Sequence, residues 1–243
     1  MSIDFSTLQG LTIPEGVVTQ ITDASGRVIW AVQSSKPIVL EVEKITSDTY
    51  AGETTYTGEQ FILLDIWLYA NGTAKVTYGG LTKTFTDTTG SIISNAQQVF
   101  FGTFNGVSDS VATPSSGELT IEGDCRVFSV SSYKIYSNNK AKSAFCSCIN
   151  AVVQWGRTYL INNNQFNGCT GLTTITIPEN ISEIKSNAFK GCTNLTSVIF
   201  EKPDRWYAKS VDGTSKVALD FGNDATKNAE LIQTYVEYTI YRE

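Results

Sequence analysis

Three of the five cysteines in this 243-residue chain recur at nearly regular spacing, so they are the first candidates for chemistry. Cys148, Cys169 and Cys192 are 21 and 23 residues apart, and each follows a phenylalanine by three positions. Cys146-x-Cys148 has no second cysteine pair at zinc-ribbon spacing, so the sequence predicts no metal site. Because cysteine is often buried and these three share one phase, we expect packed, reduced thiols. Disulfides between adjacent copies remain an open alternative.

The chain contains no histidine, which removes most familiar catalytic arrangements. Ser-His-Asp and Cys-His catalysis, histidine-ligated zinc and imidazole pH switching all require that residue. A glycosidase needs only two carboxylates, and Asp65 with Glu122 or Asp124 is a pair of that kind. Most β domains contain such pairs, so we predict no enzyme activity, no catalytic residues and no cofactor.

Aromatic side chains are better candidates, because sugar rings stack on exposed Trp and Tyr and protein interfaces are enriched in both. Trp155 and Tyr159 lie where the regular spacing begins, and Trp206 and Tyr207 lie just after it ends. Arg157 could add a polar contact beside Trp155. We predict that these five residues form a ligand- or receptor-binding surface. The alternative, favoured for Trp206, is that the rings close the ends of the repeats.

The residues around the cysteines form an internal repeat. Phe166-x-x-Cys169-x-x-Leu172 recurs 23 residues later as Phe189-x-x-Cys192-x-x-Leu195, and a weaker copy begins at Phe145-x-x-Cys148. Self-similarity at such a period predicts a solenoid, in which each turn buries its apolar face against its neighbours. We place this short solenoid at residues 126–203. A cap follows at 204–243, in which Asn223 or Asp224 begins a helix.

The residues before the repeat have the patterns of β-structure. Residues 1–33 form a distinct leader with a small β-hairpin, and residues 37–125 contain at least six short strands. Asn71-Gly72 and Gly79-Gly80 predict two-residue hairpin turns. Strands at this spacing favour an antiparallel sandwich of immunoglobulin-like size. The predicted fold class is therefore mainly β: a hairpin leader, a β-sandwich, a solenoid and a helical cap.

Composition excludes several kinds of partner. The net charge is −6 and the basic residues are scattered singly, so we expect no nucleic-acid binding through phosphate neutralisation. No apolar run reaches the length of a membrane-spanning helix, so we expect no membrane insertion. The first ten residues have no basic segment followed by a long apolar one, so we expect no secretory signal.

Segment 177–195 begins with Ile177-Pro178, contains Ala188-Phe189 and Cys192, and resembles the BspA-like class of leucine-rich repeats. The resemblance covers about residues 145–203 and implies a surface recognition or adhesion protein of gut or oral bacteria or their phages. Segment 11–30, which opens Leu11-Thr12-Ile13-Pro14, resembles the start of tail-region proteins from phages and prophages of Firmicutes. A recurring leader of this kind implies an attachment module.

These resemblances imply a non-enzymatic phage or prophage virion protein, tail-associated, whose leucine-rich repeats recognise a host-surface glycan or protein. Residues 1–33 would contact other virion proteins, and the protein would be made in the bacterial cytoplasm and lie in the phage particle. Two alternatives stay open: a purely structural decoration or tail component, and a BspA-like adhesin on the bacterial cell surface. A homo-oligomer is also open, since a fibre-like protein could form a trimer.

Overall fold

The computed structural model describes residues 20–22, 28–31, 36–46, 60–89, 96–104, 107–109, 116–137, 140–146, 148–156 and 158–243. The chain divides into two compact units, Met1–Ser35 and Lys36–Glu243. Strands dominate the described residues and most of them pair antiparallel, so the predicted mainly β class is confirmed.

Twenty strands and one helix are present in the described part of the chain. The strands are β1 (Gln20–Thr22), β2 (Val28–Ala31), β3 (Ile38–Val42), β4 (Ile45–Thr46), β5 (Gln60–Leu68), β6 (Thr73–Tyr78), β7 (Leu81–Thr86), β8 (Ala96–Phe104), β9 (Val107–Ser108), β10 (Gly117–Gly123), β11 (Cys125–Ser137), β12 (Lys140–Cys146), β13 (Ile149–Trp155), β14 (Leu160–Ile161), β15 (Thr174–Ile177), β16 (Glu183–Ile184), β17 (Ser197–Phe200), β18 (Trp206–Lys209), β19 (Lys216–Leu219) and β20 (Thr239–Arg242). The helix is α1 (Ala225–Thr234).

The Met1–Ser35 unit contains the hairpin predicted for the leader. Strands β1 and β2 pair antiparallel, with Gln20 opposite Ala31 and Ile21 opposite Trp30. Residues 23–27, between these two strands, lie outside the described residues.

Two antiparallel sheets make up the first part of the Lys36–Glu243 unit. One has the strand order β13-β3-β10-β6-β7, and the other has the order β12-β11-β5-β8-β9, with β4 beside β5. Buried and exposed residues alternate in β3 and β6, because successive side chains of a strand point to opposite faces. The rings of Tyr78 and Phe101, from different sheets, have centroids 5.5 Å apart. The two sheets therefore pack against each other.

The turn at Asn71 and Gly72 does not close a hairpin, and that prediction was wrong. The turn connects β5 in one sheet with β6 in the other. The amide of Asn71, which has a φ of 57°, donates to Asp87 Oδ2 over 3.0 Å, and the amide of Thr73 donates to Asp124 Oδ2 over 3.1 Å. An Asn-Gly step supplies the left-handed backbone of a tight turn, but long-range pairing decides which strand lies beside the next one.

The hairpin predicted at Gly79-Gly80 is confirmed. Tyr78 pairs with Leu81 across this two-residue turn, and the two glycines have φ values of 57° and 82°. A type I′ turn requires the left-handed region at both central positions, which glycine adopts without steric cost.

The predicted boundary between residues 125 and 126 falls at the start of a strand that belongs to the preceding sheets. Strand β11 pairs with β5 in one sheet, and β13 pairs with β3 at the edge of the other. Phe145, where the weakest predicted repeat begins, lies in β12, which pairs with β11. Both sheets thus include strands from a stretch that the sequence assigned to the solenoid, because pairing between distant segments leaves no local pattern.

The two clear repeats lie side by side. Strands β15 and β17 pair in parallel, with Ile177 opposite Phe200. Strands β14 and β16 also pair in parallel, with Leu160 opposite Glu183. Both pairs keep the 23-residue offset of the repeat, so one period of sequence is the length of chain between stacked positions.

The C-terminal residues extend the repeats with three strands and the helix. One sheet has the order β14-β16-β20-β18-β19. Asp224 caps α1 by accepting hydrogen bonds from two amides of its first turn. The buried Asn228 donates from Nδ2 to the carbonyl oxygens of Val198 and Gly222, both over 2.9 Å, and its Oδ1 accepts from Gly222 N over 3.0 Å. These bonds attach α1 to β17.

One cluster of buried side chains runs through the Lys36–Glu243 unit, from Ile38 in β3 to Ile240 in β20. Phe166 and Phe189 of the repeats belong to this same cluster. The sheets and the repeats therefore share a continuous core. Within the described residues, no helix combines the length and hydropathy that a bilayer crossing requires.

Candidate functional site

The phenylalanines of the repeats stack in the interior. Phe166 and Phe189 are buried, and their rings are nearly parallel, with centroids 5.3 Å apart and an interplanar angle of 7°. Cys192 Sγ donates to the carbonyl oxygen of Phe166 over 3.0 Å. Four further repeat side chains are buried with them: Cys148, Cys169, Leu172 and Leu195. These groups hold adjacent copies together and are out of reach of a ligand. The side chain of Phe145 lies outside the described residues.

The four cysteines whose side chains are described, Cys125, Cys148, Cys169 and Cys192, are free, buried thiols. Burial raises the pKa of Cys125 and of Cys192 to about 12. Burial also raises the pKa of Cys148 to about 11, opposed in part by its hydrogen bond to the Leu63 carbonyl oxygen. Burial, with Cys192 and Cys148 nearby, places the pKa of Cys169 well above its usual value. Thiols held neutral in this way are poor nucleophiles and poor metal ligands.

Trp155, predicted as a binding residue, is instead a core residue. It is 7% exposed, and its ring packs against Phe128 and Phe166, with centroids 6.1 and 6.0 Å away. Its Nε1 donates to the carbonyl oxygen of Thr176 over 2.8 Å. The indole therefore joins β13 to the repeats and has no free face for a ligand.

Trp206 is also buried, as the alternative from the sequence favoured. It is 1% exposed, and its ring packs against Phe200 and Phe221, with centroids 5.1 and 6.1 Å away. Its Nε1 donates to the carbonyl oxygen of Lys202 over 2.8 Å. Trp206 therefore packs at the end of the repeats and cannot stack on a ligand from solvent.

The remaining predicted residues near Trp155 offer one exposed ring. Arg157 lies outside the described residues. Tyr159 is 44% exposed, and its carbonyl oxygen accepts from the amide of Ser182 over 3.1 Å. No other aromatic ring of the described residues contacts the ring of Tyr159. It is therefore an isolated surface tyrosine.

Tyr207 lies on the outer face of the C-terminal sheet beside Tyr241, which the sequence did not predict as a binding residue. Tyr207 and Tyr241 are opposite each other in β18 and β20, with ring centroids 6.0 Å apart. Glu183 of β16 is opposite Tyr241 on its other side. Lys216 Nζ lies 4.1 Å from the centroid of Tyr207 and 2.7 Å from Glu243 Oε1. Two aromatic rings with charged neighbours thus share one sheet face.

An open groove of about 540 Å³ lies along this face. Its lining consists of a carboxylate, an ammonium, three hydroxyls, an aromatic ring and an apolar side chain, from Glu183, Lys209, Ser186, Ser210, Thr239, Tyr241 and Val211. Strand alternation produces this lining, because Trp206, Ala208 and Ile240, between the outward residues of β18 and β20, are buried. The volume falls within the range of about 300–1,000 Å³ typical of small-molecule sites.

Asp212 holds the turn that forms one rim of the groove. Its Oδ1 accepts from Ser210 Oγ over 2.6 Å, from Thr214 N over 3.0 Å and from Thr214 Oγ1 over 2.9 Å. These hydrogen bonds, of which that from Ser210 is the strongest influence, lower the pKa of Asp212. Gly213 follows with a φ of 74°, in the left-handed region that glycine tolerates. The turn therefore presents Val211, which is 80% exposed, in a defined position.

The structure does not bring the predicted carboxylate pair together. Asp65 lies in β5 of one sheet and Glu122 in β10 of the other. Asp65 lies between the buried Leu64 and Ile66, and Glu122 is exposed beside the buried Ile121, so both face away from the core that the sheets share. Asp124 Oδ2 accepts a hydrogen bond from the amide of Thr73, at the turn that connects the two sheets. A glycosidase pair requires two carboxyl groups that face one sugar.

The described residues contain no group of three or more His, Cys, Asp or Glu that could hold a metal ion. A second cavity, of about 10 Å³, is lined largely by core side chains that include Ile184, Phe189 and Ile232. It has room for about one water molecule. The groove on the C-terminal sheet is therefore the stronger candidate for a binding site.

Of the residues on this sheet face, the sequence predicted Tyr207 as a binding residue and none of the others. The sequences Trp206-Tyr207-Ala208-Lys209 and Thr239-Ile240-Tyr241-Arg242 both alternate as strands do, and that signal could have predicted which side chains share a face. No local signal indicates that β18 and β20 pair, because the turn after β18, β19 and α1 intervene in the chain.

Residues 130–210 match the family model described as "BspA type Leucine rich repeat region", in six copies. The match covers about a third of the chain and includes the groove residues Glu183, Ser186, Lys209 and Ser210, whereas Val211, Thr239 and Tyr241 lie beyond it. No curated protein and no solved structure gives a significant match to this chain. The chain therefore contains a BspA-like leucine-rich repeat region, stacked at its 23-residue period and extended by the sheet that carries the groove.

Proposed function

We propose that this protein is a non-enzymatic recognition protein that binds a cell-surface glycan through the groove on its C-terminal sheet. The observation that carries the proposal is the lining of the groove, which combines the Tyr241 ring with three hydroxyls, the Glu183 carboxylate and the Lys209 ammonium. Aromatic rings stack on the C–H faces of sugars, and hydroxyl, carboxylate and ammonium groups exchange hydrogen bonds with sugar hydroxyls. A surface protein of the host, the other partner expected from the sequence, would bury a larger area than this groove.

The repeat family supports a surface-recognition role. The resemblance to BspA-like repeats implies recognition or adhesion at a cell surface. The groove includes residues of the matched repeat region. The buried Phe and Cys side chains form the interior of the repeats. The outward residues of β16, β18 and β20 are not part of this interior and can contact a ligand. We propose that the stacked repeats are a short solenoid and that the cap sheet completes its binding surface.

We also propose that the protein belongs to a phage or prophage particle, in the tail region, and is made in the bacterial cytoplasm. This rests on the resemblance of segment 11–30 to tail-region proteins of Firmicutes phages. In this arrangement residues 1–33 attach to other virion proteins, the two antiparallel sheets form an immunoglobulin-like spacer, and the repeats face the host. Trimer formation would fit a fibre-like protein and is part of the same proposal.

Binding of the full chain to purified cell walls of Gram-positive bacteria tests the recognition role. We expect Tyr241→Ala to weaken binding by about fivefold, since an aromatic stacking contact is worth on the order of 1 kcal/mol. Tyr159→Ala is the matched control, because it removes a more isolated exposed ring outside the groove lining. Equal binding by both variants and the unchanged chain would refute the groove as the site.

Two measurements separate the alternatives. Mass spectrometry of purified phage particles and of bacterial surface fractions distinguishes a virion protein from a cell-surface adhesin. A purely structural particle component would be present in particles but would bind no cell wall. Release of reducing sugar from wall polysaccharide would contradict the non-enzymatic role.

A further inference from the structure

The charged side chains in and around the groove differ in whether they have an ion-pair partner. Glu183 Oε1 lies 3.7 Å from Lys185 Nζ, and Lys216 Nζ lies 2.7 Å from Glu243 Oε1. Lys209, which lines the groove, forms no ion pair with any described residue. The groove therefore contains one ammonium without a counterion, in a chain whose net charge is −6.

The position of Lys209 relative to Tyr241 is set by strand register. Lys209 of β18 is opposite Thr239 of β20, and Tyr207 is opposite Tyr241. These two rows are two residues apart along each strand, which corresponds to about 7 Å at the rise of a β-strand. A ligand with a ring against Tyr241 would thus reach the Lys209 ammonium with a substituent of the same ring or of the next one.

The hydroxyls of the groove complete the pattern. Thr239 lies in the same row as Lys209, one row away from Tyr241 and Glu183. Ser186 Oγ accepts a hydrogen bond from Asn163 Nδ2 over 2.8 Å, which leaves its own proton to donate. The hydroxyls of the groove match the hydrogen-bond donors and acceptors of a sugar. The single ammonium, that of Lys209, matches a single anionic group on the ligand.

We propose that the groove binds an acidic saccharide, a sugar unit that carries one carboxylate or one phosphate, with the anionic group at Lys209 Nζ and a sugar ring against Tyr241. The inference rests on the proposed function and specifies its ligand class. A hydrogen bond between an ammonium and an anion is stronger than one between neutral groups, so the acidic group should contribute about tenfold or more to affinity.

Isothermal titration calorimetry of the full chain tests this with two matched pairs of ligands. A sialylated trisaccharide against its desialylated disaccharide tests a carboxylate, and a glycosylated glycerol-phosphate oligomer against the same glycoside without phosphate tests a phosphate. We expect one acidic ligand to bind at least tenfold more tightly than its neutral partner, and the pair that shows the difference identifies the anion. We expect Lys209→Met to remove that difference.

Lys75→Met is the matched control, because Lys75 is an exposed lysine in β6, on another sheet, and does not line the groove. It should leave both affinities unchanged. Equal affinity for acidic and neutral ligands, with no effect of Lys209→Met, would overturn the ligand class while loss of wall binding by Tyr241→Ala still supported the proposed function. Saccharide binding by none of the ligands, together with full wall binding by Tyr241→Ala, would overturn both.

Discussion

Cys148 offers a direct test of whether the cysteines that follow the repeat period are buried in their neutral form. The thiol is inaccessible to solvent and donates to the Leu63 carbonyl oxygen over 3.2 Å. Its pKa is raised by burial from 9.0 to about 11. The perturbation we consider is Cys148→Ala, which removes the titrating group and leaves a small apolar side chain in its place.

The sign of the effect follows from proton binding. Above pH 9 the unfolded chain loses the Cys148 proton while the folded protein keeps it, so the stability that this thiol contributes is complete below pH 9 and falls as pH rises towards 11. A shift of two pKa units corresponds to at most about 3 kcal/mol. Between pH 8 and pH 10.5 the loss from Cys148 should be about 2 kcal/mol.

Urea unfolding at pH 8 and pH 10.5, with a reducing agent present, measures this change. Cys148→Ala should have a lower free energy of unfolding than the unchanged chain at pH 8. Between pH 8 and pH 10.5, however, the free energy of unfolding of the variant should fall by about 2 kcal/mol less than that of the unchanged chain. Ile175→Val is the control, because Ile175 is buried in β15 and does not titrate, so its variant should keep the full pH dependence.

If Cys148→Ala and Ile175→Val lost the same free energy between the two pH values, the thiol would not be held neutral in the core. Cys148 would then not be buried in the continuous hydrophobic core of the sheets and repeats. Rapid reaction of Cys148 with a thiol reagent in the folded protein would lead to the same conclusion.

Three further predictions concern the cap, the rim of the groove and the indole of β13. Asn228→Leu should lower the free energy of unfolding by about 3 kcal/mol or more in urea titrations, because it leaves buried backbone groups unpaired, whereas Asn223→Leu, at an exposed position, should change it little. The pKa of Asp212 is lowered, so its hydrogen-bonded turn should persist below pH 3.8 and be lost as the pH falls through the folded-state pKa of this carboxyl group. The amide chemical shifts of residues 210–215 measure the loss of the turn. Asp212→Ala should give the chemical shifts of the lost turn at every pH. Trp155→Phe removes the hydrogen bond to the Thr176 carbonyl oxygen and should destabilise the fold by about 1–2 kcal/mol in urea titrations without weakening wall binding; a large loss of wall binding would restore Trp155 as a binding residue.

Several elements were predictable because their signals are local. Strands β6 and β7 form a hairpin at the predicted turn, since alternation of apolar and polar residues and the Gly79-Gly80 turn occur within a few residues of each other. The helix α1 begins after Asp224, whose side chain caps the first turn, as that sequence indicates.

Other features depended on partners far away in the chain. Asn71-Gly72 has the composition of a hairpin turn, yet β5 and β6 go to different sheets because each finds its partners elsewhere. Trp155 is of a residue type that stacks on ligands at protein surfaces, yet its ring packs against Phe128 and Phe166 in the core. Residue type alone does not distinguish a stacking platform from a core ring, since both roles require the same large apolar surface.

The 23-residue recurrence of Phe, Cys and Leu was enough by itself to predict that successive copies lie against each other, because a short apolar face can be buried only by a neighbour of the same shape. The strand and turn patterns also predicted a mainly β chain, and the absence of histidine excluded histidine chemistry. Only the tertiary structure decided which aromatic residues face solvent and which charges remain unpaired. Tyr207 and Tyr241 come from strands separated by β19 and α1, and their pairing on one sheet face exists only once β18 and β20 are aligned. The same alignment places Lys209, which has no ion-pair partner among the described residues, in the next row.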